Sequence, residues 1–291
     1  LSEQAFTEPQ ARAFAKRLAE LGLVEGRNLS IERHHPGGRL ERLPAVSAAL
    51  AKVPCDAYFG SGGEASLSAL RQADRQTPIV FVAVDFDPIS TGDVASLSRP
   101  GGRVTGVTAL QSTLPAKRLE LMKEMLPGMR KLAVIANDET TTQLLLVQGT
   151  ARRLELPIHV VDLKRPPFNY AAGFAEAARA GVDALFVLGS GLFVPDRATI
   201  VKKALEARLP TMFHNAQWAD AGGLASYGFN FPSMWRRGAE LLVEVLRGRK
   251  PADIPMEQPT NYELVFNLKT AKALGVKIPP ALLLRADRVI E

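Results

Sequence analysis

The chain has 291 residues, of which 46% are apolar, 23% charged and 7% aromatic, and it carries a net charge of +6. That balance excludes collagen-like, coiled-coil and disordered classes, and the length suits two domains of about 100–200 residues. The basic residues are scattered, densest at Lys164-Arg165 and Arg247-Gly248-Arg249-Lys250, which reads as a solvated surface with no nucleic-acid partner.

A helix is expected over 7–21, where Thr7 and Gln10 have capping-box spacing and Ala11, Phe14, Ala15, Leu18 and Leu21 share one face before Gly22. Strands at 28–33, 56–60, 78–84 and 104–107 follow, with helices at 40–52 and 64–74 between them. Cys55, the one cysteine, sits beside Val53 and Ala57-Tyr58-Phe59 and reads as a small buried apolar residue. The second half repeats the scheme with strands at 131–136, 157–162, 183–188 and 210–213 and helices at 141–154, 170–180 and 196–207. A Gly222-Gly223 turn, a strand at 224–227, a helix at 233–246, a proline-rich segment over 250–259, a strand at 262–266 and a helix at 268–274 complete the chain.

Alternating strands and helices predict parallel sheets covered by helices. The fold class is therefore α/β, with two lobes, each an open parallel sheet flanked by helices. The late elements suggest that the chain crosses between lobes more than once and so makes a multi-strand hinge. We assign 1–109 with 220–256 to the N-terminal lobe and 110–219 with 257–291 to the C-terminal lobe. If the halves are analogues, a central strand of the first sheet should precede Leu1. The chain starts at Leu1 and not at a methionine, which admits a processed or a trimmed terminus, and no run of the roughly 18 apolar residues that span a bilayer occurs.

Ligands of open parallel sheets sit beyond the carboxyl ends of the strands. Those ends carry Ser61-Gly62-Gly63 and Asp85-Phe86-Asp87-Pro88 in the first half, then Asn137, Ser190 within Gly189-Ser190-Gly191-Leu192-Phe193, and Asn215 in the second. Glycines let a backbone approach a ligand, and the following helix start offers N–H groups to a carboxylate or phosphate. Asp85 and Asp87 can receive an ammonium or hydroxyl, Asn137 and Asn215 can orient a zwitterion, and Phe193, Phe213, Trp218 and Tyr227 stand where an aromatic wall can form, with core packing the default for at least two. Catalytic templates fail. His34, His35, His159 and His214 lack metal spacing, Ser61 lies off the nucleophile-elbow spacing, and no Walker loop occurs. Gly60-x-Gly62-x-x-Ala65 does match a loose dinucleotide fingerprint, with Asp85 at ribose distance, so a nicotinamide-dependent oxidoreductase is the alternative to a non-catalytic binder without cofactor or metal.

Five segments carry a resemblance. They are Glu-Leu-Gly-Leu-Val-Glu-Gly-Arg-Asn over 20–28, Leu-Ser-Arg-Pro-Gly-Gly-Arg-Val-Thr-Gly over 97–106, Ala-Gly-Gly-Leu-Ala-Ser-Tyr-Gly over 221–228, Asn-Leu-Lys-Thr-Ala-Lys-Ala-Leu-Gly over 267–275 and Pro-Pro-Ala-Leu-Leu-Leu-Arg-Ala-Asp over 279–287. In this order they resemble the ABC-transporter substrate-binding proteins of the tryptophan-binding-like, type I periplasmic group. The resemblance implies a hinged, monomeric, periplasmic or otherwise extracytoplasmic receptor. It would close on a small carboxylate-bearing ligand at the interlobe cleft and pass it to an ABC permease; an intracellular sensor with the same lobes is a second alternative. The strand before Leu1 is one the family normally has. Where that family usually reads Ser/Thr-Gly-Thr this chain reads Ser61-Gly62-Gly63, and Asp85-Phe86 stands where a single residue usually precedes Asp-Pro. These departures leave room for an amino acid other than tryptophan or for an aromatic or branched carboxylate. The ligand set so implied is Ser61, Gly62, Gly63, Asp85, Asp87, Asn137, Ser190, Phe193, Asn215, Trp218 and Tyr227.

Overall fold

A strand covered on both faces needs an apolar run without alternation, and Ile-Val-Phe-Val-Ala-Val over Ile79–Val84 is such a run, with Ile79 to Ala83 fully buried. The computed structural model describes residues 9–36, 39–84, 87–109 and 114–291. The chain divides into two units, Leu1–Leu110 with Asn230–Asn261 and Gln111–Phe229 with Tyr262–Glu291.

In the first unit β1 (Tyr58–Gly62), β2 (Ile79–Val84) and β3 (Val104–Ala109) form a parallel sheet in the order β1-β2-β3. Gly106 is where β3 passes closest to β2: its φ is +145°, and a Cβ there would stand 1.9 Å from the Phe81 carbonyl oxygen. Helix Phe231–Leu246 packs on Pro9–Glu20 and on the sheet. Phe14 stacks on Phe59 at 4.1 Å, Trp235 meets Phe59 edge-on at 5.3 Å, and Arg17 donates to Glu240 at 2.8 Å. Such aromatic pairs add about 0.5–1.5 kcal/mol each beyond burial.

The second unit holds β4 (Leu132–Ala136), β5 (Ile158–Asp162), β6 (Ala184–Val187), β7 (Thr211–Phe213), β8 (Ala225–Phe229), β9 (Tyr262–Asn267) and β10 (Arg288–Ile290) in the order β10-β9-β8-β7-β6-β4-β5. Only the β8–β9 pair is antiparallel. The period-2 pleat sends Leu132, Val134, Phe186 and Met212 into one core and Ala133, Ile135, Leu185, Val187 and Phe213 into the other. This is the α/β architecture of two mainly parallel sheets flanked by helices.

Several expectations change. No strand forms over 28–33; the segment contributes one bridge, Glu25 to Leu29, because a strand needs a hydrogen-bonding neighbour and none lies beside it among the described residues. Cys55 is exposed, since β1 begins only at Tyr58 and leaves it in a loop. The return to the first unit comes at 230, not 220, because β8 pairs with β7 and β9. Residues up to 261 stay with the first unit: Glu257 exchanges backbone hydrogen bonds with Gly106 and Thr108, and its carboxylate accepts both Nε and Nη2 of Arg237. The dense basic spots are paired locally, Lys164 with Asp162, Arg165 with Asp138 and Arg249 with Glu244.

Candidate functional site

At the carboxyl end of β1 in the first unit, Ser61 and Gly62 are the last strand residues and Gly63 is the N-cap of helix Glu64–Ala73. Gly62 has φ +136° and a Cβ there would meet Ser66 Oγ at 2.9 Å, so the turn requires glycine; Gly63 has open space at its Cβ position. No side chain caps this helix start, and Glu64 places a carboxylate in its first turn, at the positive end of the helix dipole. Asp85 lies outside the described residues. Asp87 makes an Asx turn, Oδ1 accepting from the Ile89 N–H at 2.9 Å and its carbonyl from Ser90 Oγ at 2.9 Å, so one of its oxygens holds the loop after Pro88.

The second unit builds its strand ends from side chains. Asn137, Ser190 and Asn215 follow β4, β6 and β7 and are all buried, at 3%, 4% and 6% exposure. Each accepts from the backbone N–H two residues on: Glu139 for Asn137, Leu192 for Ser190 and Gln217 for Asn215, each at 3.1 Å. Each therefore starts a helical turn where its strand stops. The fold joins two of them directly, Asn137 Nδ2 donating to Ser190 Oγ at 2.8 Å, and Ser190 Oγ donates onward to Glu139 Oε2 at 2.8 Å. Behind them Gln143 exchanges hydrogen bonds with both the carbonyl and the N–H of Gly189, at 2.7 and 3.0 Å.

Beside Asn215, His214 is buried with its Nδ1 unpartnered. Burial first, then the Arg118 and Arg197 guanidiniums, hold its pKa down to about 3, so the ring is neutral. Arg118 is fully buried and donates from Nε to the Tyr227 carbonyl at 2.7 Å; Arg197 donates to Gln217 Oε1 at 2.9 Å. None of these three side chains announces itself in the sequence. For His214 and Arg197 position alone is a signal: one follows β7, and the other begins the helix after Ser190.

The expected aromatic wall is mostly core. Phe193 and Trp218 are fully buried, Phe193 against Phe168 at 5.1 Å and Trp218 stacked on Phe213 at 4.7 Å. Both rings belong to the packed core of the second unit, the placement the sequence reading gives as the default for at least two of the four aromatic residues. Tyr227 is half-buried and stacks on Tyr262 at 6.0 Å, and burial, then Tyr262 and Asp287, raises its phenol pKa.

The sequence profile of the ABC transporter substrate binding proteins matches residues 7–290. The chain belongs to that family. This substrate-binding protein is 26% identical over 278 residues to a protein named tyrosine-binding protein from Clostridioides difficile (strain R20291), covering 95% of this chain and 79% of that one. It is similar in fold to the ABC domain in complex with L-Trp from Streptococcus pneumonia, with a TM-score of 0.81, 24% identity, and 97% and 95% of the two chains covered. A conserved domain protein from Vibrio cholerae has a TM-score of 0.82 and 24% identity, over 97% and 94%. The protein is thus the substrate-binding component of an ABC transporter and not an enzyme, which removes the nicotinamide reading of Gly60-x-Gly62-x-x-Ala65. Among the described residues no helix is long and apolar enough to cross a membrane.

Proposed function

We propose that the substrate is a free amino acid with an aromatic side chain, captured outside the cytoplasm and handed to an ABC permease. The observation that carries this reading is the family match over 7–290 together with two similar proteins named for tyrosine and L-Trp. The strand ends agree chemically with a zwitterion. Ser61, Gly62 and Gly63 offer a hydroxyl and backbone amides suited to a carboxylate. Asn137, Ser190 and Asn215 line the carboxyl ends of the second sheet with polar groups, Asp85 and Asp87 remain candidates for an amine or hydroxyl of the ligand, and Tyr227 keeps some exposed surface where Phe193, Phe213 and Trp218 keep none.

Micromolar affinity corresponds to about −8 kcal/mol. Hydrogen bonds to charged groups contribute about 1.5–3 kcal/mol each, so three or four plus the burial of one aromatic ring suffice. A thermal-shift screen of the twenty amino acids and of aromatic carboxylates tests the reading. Tyrosine, tryptophan or phenylalanine at about 100 times its Kd should add roughly 2.7 kcal/mol, raising Tm on the order of 5–10 °C. A shift with branched or aromatic carboxylates alone, and none with an aromatic amino acid, would overturn it.

A further inference from the structure

The hydroxyl of Ser190 has a determined polarity. Its oxygen accepts from Asn137 Nδ2 at 2.8 Å and from the Leu192 N–H at 3.1 Å, so its single proton is directed to Glu139 Oε2 at 2.8 Å. That oxygen must be an acceptor, and the Glu139 N–H is itself tied to Asn137 Oδ1 at 3.1 Å. Both ends of Glu139 are therefore anchored to two buried side chains, while the residue itself is exposed. The neighbouring Asp138 pairs with Arg165, and among the described residues no cation pairs with Glu139. A carboxylate standing at the carboxyl ends of β4 and β6, oriented by a buried network and left without a cation, has the chemistry of an ammonium receptor.

We infer that Glu139 receives the ammonium group of the substrate, with Ser190 and Asn137 as positioning residues that aim it. This rests on the amino-acid reading above and deepens it. It also changes the part played by Asn137 and Ser190: their hydrogen bonds run to each other and to Glu139, and the contact with ligand is made by the residue they hold. The inference predicts selectivity for ligands carrying a cationic amine over the same skeleton without one.

The test compares the whole protein with Glu139→Gln, whose amide oxygen can still accept from Ser190 while the charge is gone. The probes are L-tyrosine and L-tryptophan, tyramine and tryptamine, and the desamino acids 3-(4-hydroxyphenyl)propionate and indole-3-propionate. Calorimetry should show Glu139→Gln weakening the amino acids and amines by about 10- to 100-fold, with the desamino acids changed less than about threefold. Ser190→Ala, which keeps the charge and frees its orientation, should weaken the same amine-bearing probes by about three- to tenfold, and it supplies the test if Glu139→Gln does not fold. Amino acids bound equally well by wild type and both variants would overturn the inference and leave the amino-acid reading standing. Amines bound and amino acids refused, with the amine affinity lost in Glu139→Gln, would do the reverse. Wild type binding the desamino acids alone would overturn both.

Discussion

The strand ends of the two units solve one problem with different materials. In the first, Ser61-Gly62-Gly63 exposes backbone: Gly62 needs its positive φ, and nothing stands near the Cβ position of Gly63. In the second, Asn137, Ser190 and Asn215 are buried side chains that cap turns, two of them joined by a hydrogen bond. A backbone tip depends on space, whereas a side-chain tip depends on a satisfied network, so the first should be sensitive to added atoms and the second to lost partners or misplaced charge.

The largest effects should come where both sheets have the same weakness. Gly106 in the first unit and Gly228 in the second would each place a Cβ within 1.9 and 1.8 Å of a backbone carbonyl oxygen, of Phe81 and His214 respectively. Backbone cannot swing aside, so Gly106→Ala and Gly228→Ala should each lose about 4 kcal/mol or more. Urea unfolding curves within about 1 kcal/mol of wild type would show the sheets to be looser than the geometry implies.

A difference between the units follows from His214. Its folded pKa, near 3, lies below the ordinary histidine value near 6.5, so in that window the unfolded chain binds a proton that the folded chain refuses. Stability contributed by the neutral ring is full above about pH 6.5 and falls as pH drops, by up to about 1.4 kcal/mol per unit, or about 2 kcal/mol by pH 5. In unfolding measured at pH 7 and pH 5, His214→Gln should reduce the acid loss by about that amount. An unchanged loss would mean that the ring is solvated in the folded state.

The smallest effect on stability sharpens the comparison most. Gly63→Ala meets open space at an ordinary φ of −82° and should alter folding by less than about 0.5 kcal/mol. If the backbone of this tip touches the ligand, affinity for L-tyrosine or L-tryptophan should nevertheless drop several-fold. Affinity unchanged in calorimetry would take Gly63 out of the site.

Not every element was equally legible. The strands Leu132–Ala136 and Ala184–Val187 were visible as apolar runs, because strands covered on both faces carry no polar residues to confuse them. Helix Leu114–Met125 escaped, since Leu114, Leu119, Leu121, Met122 and Met125 are all buried and so is Arg118, leaving no single apolar stripe to detect. Asn137, Ser190 and Asn215 were legible as residues following strands. That Glu139 is the group they orient was not, because the bond that aims it comes from a residue 51 positions away.

The amino-acid order by itself determined the alternation of strands and helices, the polar character of the strand ends and the family, since local periodicity and contiguous motifs are properties of neighbours in sequence. The tertiary structure alone decided which strand ends meet, that Phe193 and Trp218 fill a core, and that a neutral histidine lies beside two guanidiniums. Burial and hydrogen-bond partners depend on residues far apart in the chain, and only folding brings those together.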